Sequence, residues 1–279
     1  MAAKGRTRVS VCLPARDEAA TVGLVVGAIV EHLVERHSLV DEVLVVDDGS
    51  GDDTVASARG AGAVVVAASQ VLAGCGPATG KGEAMWKSLA RSGGDVVVWC
   101  DADIRTFDPR FVTGLLGPLL TDASVHFVKG RYRRDLHGQA GAGGRVTELV
   151  ARPLLRLLFP HLAGFAQPLA GECAGRRPLL EQVRFAPGYG VDLALLVDVA
   201  AVAGLEAMAE VDLGHRSHRN RPLQELAAQA EVVMATALTL AGVEVANGPV
   251  EPFHSWRPPL IEVPDYPGWE PPGGGRPTA

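Results

Sequence analysis

What this chain of 279 residues lacks narrows its possible roles first. Its four cysteines, Cys12, Cys75, Cys100 and Cys173, show no CxxC spacing, and two lie inside apolar strand-like runs. That usage disfavours a zinc site and points to buried thiols in a reducing compartment. No apolar run reaches the ~20 residues needed to span a bilayer. The N-terminal Met1-Ala2-Ala3-Lys4-Gly5-Arg6 leads into a polar strand start with no signal-peptide core. The expectation is a soluble, cytoplasmic protein with no membrane partner. Positive charge is not in excess either: the formal net charge of -6 argues against a general nucleic-acid binder, but it leaves room for a local basic pocket that holds a small anion. Apolar side chains are abundant, and a hydrophobic content of 47% over this length supports one large α/β domain, alone or with a smaller appendage.

The apolar residues alternate between two periods. Val9-Ser10-Val11-Cys12-Leu13 reads as a strand stopped by Pro14, and Glu18 to about Arg36 carries Val22, Val25, Val26, Ile29, Val30 and Leu33 at helical spacing. Val43-Leu44-Val45-Val46 repeats the plan, leading into the loop Asp47 to Asp53 and a helix start at Thr54. A short strand from Ala63 to Val66, a Gly/Pro loop from Gly74 to Gly80, a helix from Glu83 to Ala90 and a strand from Val96 to Cys100 follow. Strands alternating with helices predict a doubly wound, mostly parallel sheet. Beyond it lie a strand-like Val125 to Lys129, a glycine-rich loop from Gly138 to Gly144, and helices over about Arg145–Leu158, Val191–Val202 and Leu223–Leu240. Val211 to Arg221 forms a dense polar cluster between apolar segments, and the Pro/Gly-rich stretch from Pro258 onward reads as mostly disordered.

Asp101-Ala102-Asp103 ends the fourth strand, placing acidic oxygens at the carboxyl edge where open α/β sheets bind ligands. Such carboxylates suit a hard divalent cation bridging a nucleotide diphosphate, which points to a nucleotide-sugar enzyme. At the first strand end, Leu13-Pro14-Ala15-Arg16-Asp17-Glu18 can dock a base and ribose or simply begin a helix. Asp47-Asp48-Gly49-Ser50 is either part of the same edge or an Asx turn before Thr54. The joint occurrence of three such strand ends favours a site. In Gly80-Lys81-Gly82-Glu83, Lys81 can reach a diphosphate, yet this is no Walker A loop, since Gly82 stands where Ser or Thr is needed. Gly141 to Glu148 opens a helix at which amides, Arg145 and the Thr147 hydroxyl can cradle a phosphate or carboxylate, with a plain linker as the competing reading. His218 lies among Arg216, Arg219, Asn220 and Arg221, either facing an anionic site or in a solvated basic turn. Asp192 follows Gly188-Tyr189-Gly190-Val191 and is a helix-start carboxylate or a site residue.

Several segments in unbroken order resemble a known family: Val9 to Glu18, Gly80 to Ala84, Asp101 to Asp103, Gly143-Gly144-Arg145-Val146-Thr147-Glu148 through Leu154, Ala186 to Val191, and His218-Arg219-Asn220-Arg221-Pro222-Leu223. They are similar to the actinobacterial glucosyl-3-phosphoglycerate synthases over about residues 9 to 240. The Gly-Gly-Arg-Val-Thr and His-Arg-Asn-Arg-Pro segments are far more specific than Asp-x-Asp.

The resemblance implies a retaining glycosyltransferase of GT-A fold that moves glucose from UDP-glucose to the 2-hydroxyl of D-3-phosphoglycerate. It implies Mg²⁺, with Mn²⁺ or Co²⁺ as substitutes, and a homodimer. By the same resemblance, Pro14, Ala15, Arg16, Glu18, Asp48, Lys81, Asp101 and Ala102 contact the donor nucleotide. Asp103 and His218 are metal ligands, and Gly144, Arg145, Val146, Thr147, Arg216 and Asn220 hold the acceptor. Asp192, Lys81 and Asp101 are the expected catalytic residues. The family usually has Glu where Asp192 stands and Ser where Asp48 stands. Residues 1–135 form the expected nucleotide-sugar half, 136–257 the acceptor half and 258–279 a disordered tail. The alternatives are a mannosyl-3-phosphoglycerate synthase using GDP-mannose, a lipid-phosphate glycosyltransferase, disfavoured by the missing membrane helix, and a catalytically silent nucleotide-sugar sensor.

Overall fold

The computed structural model describes residues 4–134, 144–216, 223–244 and 256–268. Strands β1 (Val9–Ala15), β2 (Glu42–Asp47), β3 (Val64–Ala67), β4 (Val96–Trp99), β5 (Phe127–Arg134), β6 (Cys173–Arg176) and β7 (Met208–Arg216) form one sheet in the order β3-β2-β1-β4-β6-β5-β7. All neighbours pair in parallel except β6, which runs antiparallel to both β4 and β5. The helices are α1 (Val22–Ile29, continued by a wider π-type turn Val30–Arg36), α2 (Thr54–Gly60), α3 (Lys81–Arg91), α4 (Arg110–Thr121), α5 (Arg152–Leu158), α6 (Arg177–Leu180), α7 (Val191–Ala203) and α8 (Leu223–Leu240).

Successive strand side chains point to opposite faces, so a sheet covered on both sides needs strands that are apolar throughout. β1 obeys this: Val11 and Leu13 pack with Val22, Val25, Val26 and Ile29 of α1 on one face. Cys12 faces the other way and joins Leu44, Val97 and Trp99 against Ala84, Met85, Trp86 and Leu89 of α3. A third apolar cluster joins Val146 and Leu155 to Leu193 and Leu196 of α7 and to Val233 and Ala237 of α8. Because α7 is buried on most of its circumference, its first-turn carboxylate Asp192 is also buried.

The doubly wound, mostly parallel sheet is therefore present, but four elements escape the sequence reading, the first being α6, whose four residues are too few to show a helical period. β6 is four residues of Cys-Ala-Gly-Arg, too small and short to stand out, and two glycines with Pro118 obscure the helical period of α4. β7 occupies the start of the stretch read as a polar cluster, since only one face of this edge strand is covered.

The tail also differs from expectation. Residues 258–268, read as disordered, pack against the core: Leu260 and Val263 are buried, and the Trp86 indole donates to the Pro258 carbonyl at 2.9 Å. Arg257 pairs with Phe185 in an isolated antiparallel bridge. Apolar residues among the prolines give the segment enough burial to hold it, which a composition reading overlooks. Among the described residues, no helix is long and apolar enough to cross a membrane.

Candidate active site

β1, β2, β4, β5 and β7 bring their carboxyl ends to one edge of the sheet, and the reversed β6 brings its amino end there. At that edge a cavity of about 380 Å³ is lined by Pro14, Ala15, Arg16, Asp17, Glu18, Asp48, Gly80, Lys81, Ala84, Asp101, Ala102, Asp103, Gly188 and Tyr189.

Its rim is tied together by short polar links. Asp17 adopts a positive φ of 54°, which Asp tolerates better than most residues. In that pose its backbone N–H donates to Ser50 Oγ at 3.0 Å and its carboxylate accepts from Gly51 N–H at 2.8 Å, joining the β1 and β2 loops. Asp48 accepts from the Gly80 N–H at 2.7 Å and faces Arg16 at 3.6 Å, joining the β2 end to the start of α3. Burial pushes the Asp48 carboxyl above its ordinary range, against the opposing pull of Gly80 N–H and Arg16.

The floor is a buried charge network. Lys81, at the first position of α3, places Nζ 2.8 Å from Asp101 Oδ1 and 3.1 Å from Asp192 Oδ2. Arg216, at the end of β7, spans Asp101 Oδ2 and Asp103 Oδ1, each at 2.9 Å. Its other amino group donates to Glu172 at 2.9 Å and to the Tyr132 hydroxyl at 2.8 Å. Lys129, fully buried on β5, donates to the carbonyls of Ala170 at 3.0 Å and Asp192 at 3.1 Å.

Two carboxylates on one ammonium are driven apart electrostatically. Burial raises Asp101, but Lys81 and Arg216 outweigh it and hold its carboxyl well below the usual range. Burial also raises Asp192, and there Lys81 and Lys129 do not fully compensate, so its carboxyl sits above that range. For Lys81, the attraction of Asp101 and Asp192 overcomes burial and keeps the ammonium charged. Asp192 Oδ1 is buried with no hydrogen-bond partner among the described residues, which leaves an acceptor oxygen for an incoming hydroxyl.

All eight residues expected at the donor nucleotide thus line one cavity, with Asp103 beside them and Asp192 reached through Lys81. Of the expected acceptor residues, Arg216 meets the acid pair, while Gly144, Arg145, Val146 and Thr147 are not among the residues that line this cavity. Val146 packs in the helical cluster and Thr147 is buried. His218 and Asn220 lie outside the described residues. Sequence reading passed over Glu172, Tyr132 and Lys129. Glu172 precedes a strand too short to notice, and Lys129 and Tyr132 share with Arg131, Arg133 and Arg134 a run that looks merely basic.

A divalent cation fits the acid pair by donor chemistry. Asp101 and Asp103 present hard carboxylate oxygens that already converge on one cationic group, the Arg216 guanidinium. Among the described residues, no group of three or more His, Cys, Asp or Glu side chains converges as a closed cage. That suits an ion that completes its shell from a diphosphate and water.

Known proteins agree with this geometry. Residues 10–166 match the family model described as Glycosyl transferase family 2. The chain is 49% identical over 287 aligned positions to the glucosyl-3-phosphoglycerate synthase of Mycolicibacterium paratuberculosis, covering 94% of this chain and 86% of that one. Two crystal structures of glucosyl-3-phosphoglycerate synthase from Mycobacterium tuberculosis are each 45% identical, with a TM-score of 0.85 over 93% of this chain. One, of which 92% is covered, is a complex with Mn²⁺, UDP-glucose and phosphoglyceric acid. The other, of which 93% is covered, holds Mn²⁺, UDP and glucosyl-3-phosphoglycerate. With the sheet, the acid pair and this extent of likeness in agreement, the chain belongs to glycosyl transferase family 2 and, within it, to the glucosyl-3-phosphoglycerate synthases.

Proposed function

We infer that this protein is a retaining glucosyltransferase that moves glucose from UDP-glucose to the 2-hydroxyl of D-3-phosphoglycerate and releases UDP. The observation that carries the reading is the position of Lys81, whose Nζ sits between Asp101 and Asp192 at the floor of a cavity lined by three strand ends. An ammonium so placed neutralises charge that develops on a departing diphosphate. Pro14, Ala15, Arg16, Glu18, Asp48, Asp101 and Ala102 surround the nucleotide. Asp103, with His218, would hold a divalent metal, Mg²⁺ or Mn²⁺, which when bound polarises the phosphate oxygens.

Attack proceeds on the same face as the leaving group. The acceptor hydroxyl forms its bond to the sugar carbon while the bond to the diphosphate breaks, and the departing phosphate oxygen takes the hydroxyl proton. No protein base is needed. Asp192 orients the sugar or the acceptor hydroxyl through its unpartnered Oδ1, and Arg216, Gly144, Arg145, Val146, Thr147 and Asn220 are the residues assigned to the anionic acceptor. The donor half ends near residue 135, and the acceptor half follows it. Cytoplasmic location and pairing into a homodimer belong to the same reading, supported by four unpaired cysteines and by the exposed Leu149 and Leu157 on the segment 147–158.

The test is UDP release by the purified protein in Mg²⁺, given UDP-glucose or GDP-mannose with and without 3-phosphoglycerate, with products identified by mass. Release that needs both UDP-glucose and 3-phosphoglycerate is expected. Turnover with GDP-mannose alone would overturn the donor assignment. UDP binding without turnover would point to a sensor.

A further inference from the structure

Arg257 lies far along the chain from every residue of the proposed chemistry, immediately before the segment whose composition reads as disorder. It is nonetheless 6% exposed and is the hub of a buried cluster. Its guanidinium donates through Nε and one terminal nitrogen to both oxygens of Glu83, at 2.5 and 2.9 Å. Glu83 stands two residues after Lys81 in the first turn of α3 and also holds Lys87 at 3.0 Å. Two further guanidinium hydrogens go to the carbonyls of Cys75 at 2.6 Å and Gly76 at 2.9 Å, in the loop that leads into Lys81. The Trp86 ring stacks beneath, 5.2 Å from the guanidinium carbon.

The backbone of the same residue does a second job. Arg257 exchanges both hydrogen bonds with Phe185, at 2.9 and 3.0 Å, fixing the segment that leads to Gly188, Tyr189 and Asp192. The two loops held by this one residue touch at the cavity: a Cβ on Gly80 would lie 3.3 Å from Gly188 Cα. Gly80, Lys81, Gly188 and Tyr189 are all cavity-lining. Planar guanidinium geometry is what allows one side chain to bind a carboxylate bidentately and two carbonyls at once.

We propose that Arg257 is a positioning residue for the donor site, clamping the Lys81 loop and the Gly188–Tyr189 loop against each other from behind. The proposal rests on the cavity being the nucleotide site. It assigns residues 256–268 a role in the geometry of that site, where the lysine and the pocket wall must keep a fixed separation.

The test uses the full chain with Arg257→Met, Arg257→Lys and Glu83→Gln. UDP affinity is read by titration calorimetry in the presence of Mg²⁺, and KM for each substrate by UDP release, at a temperature where circular dichroism shows each variant folded. Arg257→Met is expected to weaken UDP binding and raise the donor KM by roughly tenfold, with the acceptor KM unchanged, because misplacement of binding groups by a fraction of an ångström acts on the ligand they hold. Arg257→Lys, which keeps charge but loses the fork, should fall between. A role confined to stability would lower the melting temperature and leave the UDP dissociation constant unchanged in the folded variants, which overturns the proposal. Failure of both Arg257 variants to fold overturns it too, making the residue part of the fold alone. If the unaltered protein does not bind UDP, the nucleotide-site reading fails instead, and that result is distinct from unchanged binding in the variants.

Discussion

Lys81 sits 2.8 Å from Asp101, so the cation that begins α3 is held by the carboxylate that follows β4. The pairing joins two segments that meet only through the sheet, and Asp192 completes it from a third. Each of the following expectations comes from this network.

Replacing Lys81 by Met removes the only side-chain cation that lies between Asp101 and Asp192 among the described residues. Turnover measured as UDP release should fall by roughly 10²–10³-fold, the scale of losing one preorganised electrostatic contact in a transition state. Unchanged turnover would remove Lys81 from the mechanism.

Asp192→Asn should separate stability from activity. Burial raises the folded-state carboxyl above its ordinary value, so folding favours the protonated form. That contribution is present at acid pH and is lost as pH rises through the raised value. At neutral pH the ionised group therefore costs stability, and the Asn variant should melt higher than the parent at pH 7, with the gap closing in acid. Turnover should drop at the same time. A lower melting temperature for the variant at pH 7 would contradict the sign.

Gly171→Ala is expected to damage the site without damaging the fold. A Cβ at this position would run into both Asp101 carboxylate oxygens and lie 2.5 Å from Lys81 Nζ. These are side-chain ends that can move aside, so the melting temperature should change little while turnover falls by about 10²-fold from displacement of the pair. Melting scans and initial rates on the same preparation decide it.

Lys129→Met tests the buried support beneath Asp192. The change strips a charged donor from the carbonyls of Ala170 and Asp192, at a cost of about 1–3 kcal/mol for unsatisfied buried groups. Chemical denaturation should show that loss, and kcat should fall with both KM values little altered. A variant as stable and as active as the parent would leave Lys129 without a role.

Much of this was visible in the sequence, for definite reasons. β1, β2 and β4 are apolar on both faces, and each ends in polar residues, so strand ends and cavity rim can be read from one pattern. Lys81 announces itself by standing after Gly80, whose φ of 99° suits glycine, at the start of an amphipathic helix. Glu172 does not, because a buried acid beside a four-residue strand looks like any surface acid until its partner Arg216 arrives from 44 positions further along the chain. Arg257 is hidden for the same reason, since proline-rich surroundings mask a side chain whose partners are distant in sequence.

The reversed strand β6 has a consequence for how the molecule can vary. Because it enters the sheet at the cavity edge, Ala170, Gly171 and Glu172 reach the site before the strand begins, while Arg176 and Arg177 leave at the opposite edge, where Arg177 is anchored to the carbonyls of Leu89, Ser92 and Gly94. Length changes at the junction of β6 and α6 therefore fall on the far side of the sheet, and the placement of Glu172 against Arg216 is insulated from them until the chain returns to the cavity at Gly188 and Tyr189.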